Sequence, residues 1–126
     1  TKTPTVYRTR HVCLLQRGDE LDIYYSCVGD EPERIKRTTV DLRPDWTEWR
    51  GTRFREVLRP ETDYEGVNEP LIRSIGGSQH QPVHEVRDPY VYEEGGLVYL
   101  FYSVAGEQGI AVARLDSRPR AVSQQV

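Results

Sequence analysis

The sequence lacks several features that would mark particular classes of protein. No apolar run approaches the roughly 20 residues that span a bilayer, and no charged start followed by an apolar stretch indicates a signal peptide. Two cysteines, Cys13 and Cys27, are too few for a disulfide scaffold or a zinc knuckle, so we expect two small buried apolar residues. Reduced cysteines are compatible with the cytoplasm, which we favour, but the sequence itself specifies no compartment.

An excess of one charge is also missing. The chain has 17 Lys and Arg against 20 Asp and Glu, a net charge of −3, so a dominant nucleic-acid function is not indicated. No phosphate-cradling glycine loop or dinucleotide fingerprint is present. Pro82 lies between His80 and His84 and argues against the helix that would make them zinc ligands. We therefore predict no cofactor, no metal, and neither nucleic acid nor membrane as a partner.

An internal repeat is the most informative feature of the sequence. Residues 10–29 align without a gap on residues 87–106, at an offset of 77 positions. Five of the twenty pairs are identical, where average residue usage gives about one. The identities are an arginine, a turn glycine, a Tyr-Ser pair and a closing glycine. The two copies are therefore expected to fold in the same way.

Both copies contain short apolar and aromatic runs separated by glycine turns, a pattern that predicts antiparallel strands. The predicted strands are Val12–Gln16, Leu21–Val28, Ile35–Leu42, Phe54–Leu58, Tyr90–Glu93, Leu97–Ala105 and Ile110–Leu115. Helical periodicity is scarce, and its best candidate, Trp46–Arg50, is short. We predict an all-β protein with little or no helix.

The predicted organisation is a single domain with two sheet repeats. One repeat covers residues 10–58, a long loop covers 59–87, and the second repeat covers 87–116. Within the loop, Val67–Ile75 is a candidate for one more strand. The polar tail 117–126 is expected to fray.

Repeated antiparallel meanders with turn glycines and aromatic residues are typical of β-propeller blades, and a plain β-sandwich is the alternative. Two blades cannot close a ring. The chain is then a fragment of a larger propeller, an open pair of sheets, or a protomer that completes itself by association. In the last case a homo-oligomer would form through exposed sheet edges.

Particular motifs resemble a blade of the five-bladed β-propeller glycosidases. These are the arabinanase, β-xylosidase, invertase-like and mannoside phosphorylase-like families, and the motifs are Arg87–Tyr92, Gly95–Ser103 and Ala105–Ala113. Upstream, Tyr64–Ile72 resembles the family segment that brings an acidic residue and a proline towards the substrate face. The resemblance covers roughly residues 10–115, about two of five blades. It implies a partial propeller and carbohydrate as the partner.

The resemblance also implies candidate site residues. In such enzymes acidic residues lie where the inner strands begin, around a central funnel, which corresponds to Asp88 here. Glycoside cleavage normally uses two carboxylates that flank the bond, and Glu69 is the second catalytic candidate. Arg87, adjacent in sequence to Asp88, is expected to keep that carboxylate ionised. The candidate substrate-binding residues are polar or aromatic side chains near the funnel: Arg87, Glu65, His11, Tyr64 and Tyr90.

Three functions compete on this basis. The leading one is a glycoside hydrolase-like propeller segment that acts on or binds carbohydrate. We expect it to be incomplete as an enzyme, because a competent site draws acids from several blades. The alternatives are a non-catalytic carbohydrate-binding protein and a self-assembling β-sheet protein. From the residues alone, Asp88 before a proline is equally typical of a strand start.

Overall fold

A computed structural model of the protein describes residues 8–115, which form two antiparallel sheets. The first sheet has the order β1-β2-β3-β4, with β1 Arg8–Arg17, β2 Glu20–Val28, β3 Ile35–Asp41 and β4 Arg55–Leu58. The second sheet has the order β5-β6-β7, with β5 Val86–Glu94, β6 Leu97–Val104 and β7 Gly109–Leu115. Two 3₁₀ helices, Trp46–Glu48 and Asp63–Glu65, are the other regular elements of this range. The all-β prediction is confirmed.

The two repeats have the same strand register. Arg10 pairs with Ser26 in the first sheet, and Arg87 pairs with Ser103 in the second, at the offset of 77 residues that the sequence shows. The hairpin turns also match, because Gly18 and Gly95 both have φ of 58°, a conformation that favours glycine. Identical residues therefore occupy equivalent positions in the two strand registers.

Some local predictions need correction. The expected strand within Val67–Ile75 is absent, and Trp46–Arg50 contains only a three-residue 3₁₀ helix. A bulge shifts the β1–β2 register, so Cys27 pairs with Thr9 rather than with Arg10, which simple counting from the turn would give. The predicted frayed tail lies outside the described residues. No helix within residues 8–115 is long and apolar enough to cross a membrane.

The long connection between the sheets is fixed to both of them by backbone hydrogen bonds. Gly29 N donates to Ser74 O and Ala105 N donates to Glu65 O, both at 3.0 Å. Val86 N, at the start of β5, donates at 3.1 Å to Glu33 O, in the segment that joins β2 and β3. The connection therefore holds the two repeats in one arrangement although it contains no strand.

The core lies between one face of the first sheet and the opposite face of the second. The first sheet contributes Leu15, Tyr24 and Ile35, and the second contributes Val86, Leu100, Tyr102 and Val104. In the repeat, Tyr24 corresponds to Phe101, which is the neighbour of Leu100 and points the other way. Equivalent faces of the two sheets thus do not meet; unlike faces do.

Candidate functional site

The first strands of the two sheets, β1 and β5, carry a bulge at the same position. The register breaks between Arg10 and Cys13 in β1 and between Arg87 and Tyr90 in β5. Within these bulges His11 has φ of 52° and Asp88 has φ of 57°. Asp and His adopt this left-handed region more readily than most residues, and a bulge redirects a side chain away from its normal alternation. The repeat therefore presents two polar side chains in matched positions.

These two side chains meet at the mouth of an open groove between β1 and β5. His11 Nε2 lies 3.2 Å from Asp88 Oδ1, and the side chains are 56% and 27% exposed. The groove has a volume of about 530 Å³ and is lined by residues 11–14 of β1 and 88–91 of β5. Of the seven predicted site residues, the structure brings His11, Asp88 and Tyr90 together here.

Asp88 is positioned from behind by a serine of the neighbouring strand. Ser103 Oγ donates to Asp88 Oδ2 at 2.7 Å. The other oxygen, Oδ1, is buried and accepts no aligned hydrogen bond from the described residues, so the His11 contact is a close approach without a hydrogen bond. A carboxylate oxygen that accepts no aligned hydrogen bond retains capacity to bind the hydroxyl of a ligand after a small movement.

A second carboxylate, Glu33, is buried behind the bulge of β1. Arg10 donates to it in a bidentate fork, at 2.9 Å to Oε1 and 2.7 Å to Oε2. Ser26 Oγ donates to Oε1 at 2.7 Å, and Ser74 Oγ donates to Oε2. This glutamate is fully buried and joins β2, the connection and β1, so its role is structural.

Arg87 belongs to the same buried network rather than to the groove surface. It donates to Glu85 and lies 3.6 Å from Glu33 Oε2 and 3.4 Å from Glu107 Oε1. Burial raises the pKa of Glu85, and the ion pair with Arg87 offsets this only in part. Since the Arg87 side chain is 1% exposed, it has no free surface with which to contact a ligand.

Glu65 is likewise enclosed. Its Oε1 accepts hydrogen bonds from Glu61 N, Thr62 N and Thr62 Oγ1, and its Oε2 accepts from Tyr102 Oη at 2.7 Å. Burial alone would raise the pKa of Glu65, but these hydrogen bonds outweigh it and hold the pKa below its usual value. Burial and, after it, the same hydrogen bond raise the pKa of Tyr102. Glu65 therefore anchors the connection to β6.

The remaining predicted residues, Glu69 and Tyr64, are exposed on the connection and do not line the groove. The structure therefore does not bring the two candidate catalytic carboxylates, Glu69 and Asp88, together in the groove. Asp88 is consequently the only carboxylate in the lining of the groove that the described residues form. Within residues 8–115 no three His, Cys, Asp or Glu side chains are grouped as metal ligands.

The sequence did not indicate the roles of Glu33, Glu85 and Arg10. One signal was available, because Arg10 is the repeat partner of Arg87 and an identity between repeats often reflects a shared contact. Glu33 and Glu85 have no such signal. Each sits in an irregular segment, where no alternation along a strand shows that its side chain points into the protein.

The chain is similar to "Uncharacterized protein R118" of Acanthamoeba polyphaga mimivirus. The two are 52% identical over 107 residues, which is 84% of this chain and 30% of the viral protein. The chain thus spans less than a third of the length of that relative, which continues well beyond the matched region. No family model matches the chain, and no solved structure matches it.

Proposed function

We propose that the groove between β1 and β5 contacts carbohydrate, as part of the substrate face of a glycoside hydrolase-like β-propeller. The observation that carries this proposal is the pair of matched bulges, which turn His11 and Asp88 towards one another at the mouth of the groove. Sugar hydroxyls need acceptors and donors held in fixed positions. Ser103 fixes the Asp88 carboxylate through Oδ2, and a small movement would open the buried Oδ1 to a ligand hydroxyl. The positive φ of Asp88 is a strained conformation of a kind common at functional sites.

An aromatic face next to these polar groups also supports carbohydrate as the ligand class. Tyr90 lines the groove and is 62% exposed, so one side of its ring is available to a sugar. Val12 and Leu14 of the opposite strand are exposed and supply apolar surface. Pockets that combine apolar walls with a few fixed polar groups are typical of small-ligand sites.

Two carboxylates are normally required for glycoside cleavage, and the groove has one. In the proposed function Asp88 provides one of the two, and the other comes from a further part of the assembled propeller. A non-catalytic carbohydrate-binding protein is the second candidate, and the single groove carboxylate is the observation that favours it. Hydrolysis of aryl glycosides by a complete propeller that contains this chain, and its loss in Asp88→Asn, distinguishes the two, because only the first candidate contributes to turnover.

The direct test is a glycan array with the wild-type chain, followed by calorimetry on the glycans that bind. Asp88→Asn keeps the shape of the side chain but removes its charge, and we expect binding to weaken by roughly tenfold or more. Glu93→Gln, an exposed acid farther along β5, is the matched control and should bind like the wild type. No binding by the wild type, or equal binding by Asp88→Asn, would reject the groove as a carbohydrate site.

A further inference from the structure

The packing of the two sheets defines two kinds of sheet face. We call face A the side of the first sheet that bears Leu15 and Tyr24. In the second sheet, face A is the side that bears the equivalent residues of the repeat, Tyr92 and Phe101. Face B is the opposite side, with Leu100 in the second sheet and Ile23 in the first. Within the chain, face A of the first sheet is buried on face B of the second.

Face A of the second sheet has no partner among the described residues. Its exposed apolar side chains are Tyr90, Tyr92, Phe101, Ile110 and Val112. They form a continuous surface, since Tyr90, Phe101 and Val112 are successive cross-strand neighbours on β5, β6 and β7. Exposed fractions run from 37% for Phe101 to 79% for Ile110. Contiguous apolar surface of this kind marks interaction sites in folded proteins.

The equivalent residues of the first sheet show what such a face packs against. Tyr24 corresponds to Phe101 and Leu15 to Tyr92, and both are almost fully buried against face B of the second sheet. A face A therefore fits a face B. The chain has a second face B, on the first sheet, where Leu14 is 58% exposed and Ile23 and Tyr25 are half-buried.

A contact between two unlike faces is heterologous. When it joins two copies of the chain, the dimer still has one free face A and one free face B. We propose that face A of the second sheet docks on face B of the first sheet in a second copy of this chain. The docking repeats, between chains, the contact that the two sheets make within one chain. Association then occurs through sheet faces and leaves the edge strands β4 and β7 unpaired.

This docking would also complete the groove. Within the chain, the sheet contact places position 11 of the first sheet beside position 88 of the second. The same contact between copies places the partner's His11 on the other side of Asp88. The carboxylate would then lie between two imidazoles, and further copies would close a ring or extend a filament.

Sedimentation velocity of the full chain, from about 1 to 100 µM, tests the proposal. The wild type should sediment faster as its concentration rises. Phe101→Glu damages face A and Leu14→Glu damages face B. Each variant alone should therefore be monomeric where the wild type associates, because its dissociation constant for self-association rises roughly tenfold or more. Leu71→Glu, at an exposed leucine of the connection, is the control and should assemble like the wild type.

A mixture of the two damaged variants gives the sharpest result. Phe101→Glu keeps an intact face B and Leu14→Glu keeps an intact face A, so the mixture should form a one-to-one dimer and nothing larger. A monomeric wild type overturns the proposal, as does self-association of Leu14→Glu, which would mean that face A binds face A. Circular dichroism confirms folding of each variant. None of these readouts involves carbohydrate, so they fail or succeed independently of the proposed function.

Discussion

The two repeats use the same strand register to hold two different carboxylates. In the first sheet, Ser26 donates to Glu33, which is fully buried and also held by Arg10. In the second, the equivalent Ser103 donates to Asp88, which opens onto the groove and has one oxygen without an aligned donor. The serine is thus a constant part of the repeat. What differs is whether its carboxylate partner serves the fold or opens onto the groove.

The difference between the repeats follows from the position of each acid. Glu33 comes from the turn after β2 and reaches Ser26 from within the protein, where two arginines compensate its charge. Asp88 comes from the bulge of β5 and reaches Ser103 from the groove. Because His11 takes the bulge position in the first repeat, only one carboxylate is exposed to the groove there. The exchange of aspartate for histidine at the bulge thus explains the single groove carboxylate, whereas Glu33 lies outside the aligned repeat and serves the fold.

Among the changes considered, removing the charge of the buried acid Glu33 should lower stability most. Glu33→Gln keeps the side-chain volume but leaves Arg10 and Arg87 without their shared charge, and we expect a loss of about 3–5 kcal/mol in the free energy of unfolding. Urea denaturation measures the loss. Glu94→Gln, at an exposed acid that ends β5, is the control and should change stability by less than about 0.5 kcal/mol. A similarly small effect at Glu33 would mean that this network does not hold the sheets together.

The anchor of the connection should respond to pH. Glu65→Gln is expected to lower the free energy of unfolding by about 1–3 kcal/mol at pH 7, because it removes a buried carboxylate that accepts several hydrogen bonds. The pKa of Glu65 is lowered in the folded state, so its contribution is present above the unfolded pKa of about 4.3 and is lost as the pH falls through the folded value. The stability difference between wild type and variant should therefore shrink on acidification.

Glu61→Gln supplies the matched control for that pH series. Glu61 is exposed on the same segment and contacts Glu65 only through its backbone N–H. Its substitution should leave the wild-type pH dependence intact. A difference between Glu65→Gln and wild type that stays constant from pH 7 to pH 3 would show that charge is not what Glu65 contributes.

Part of this architecture was predictable because it depends on local sequence. The glycine turns at Gly18 and Gly95 and the apolar runs beside them fix the hairpins, and all seven predicted strands overlap observed ones. The repeat then predicted equal registers, as observed. These features follow from turn conformation and from alternation along single strands, both of which are visible in a single sequence.

The site was less predictable because it depends on contacts between distant segments. No local pattern marks His11 or Asp88 as residues with positive φ, so the bulges and the resulting shift of Cys27 were not foreseen. Arg87 adjoins Asp88 in sequence, but its side chain is directed into the buried network, and Ser103 rather than Arg87 holds the carboxylate. Adjacency along a strand is a poor guide to contact, since neighbouring residues on a strand normally point to opposite faces.

The two serines give a smaller and more direct comparison. Ser26→Ala removes a donor to a fully buried carboxylate, which water cannot easily replace, and should cost about 1.5–3 kcal/mol. Ser103→Ala removes a donor to a carboxylate that is 27% exposed, where water can substitute, and should cost about 0.5–1.5 kcal/mol. Urea denaturation of both variants measures the difference. Equal losses of stability would mean that Glu33 and Asp88 experience the same environment, and would contradict the contrast between a buried and a groove-exposed carboxylate.

The two turn glycines provide the finest comparison, because here the repeats are expected to behave alike. Gly18 and Gly95 have the same φ of 58°, and a methyl group added to either would meet no atom within 4 Å. Alanine at each site should therefore cost about 1–2 kcal/mol from backbone conformation alone, without a clash. Thermal or urea denaturation of the two variants should give losses that agree within about 0.5 kcal/mol. A larger gap would show that the two hairpins, although equal in register, contribute unequally to the stability of the fold.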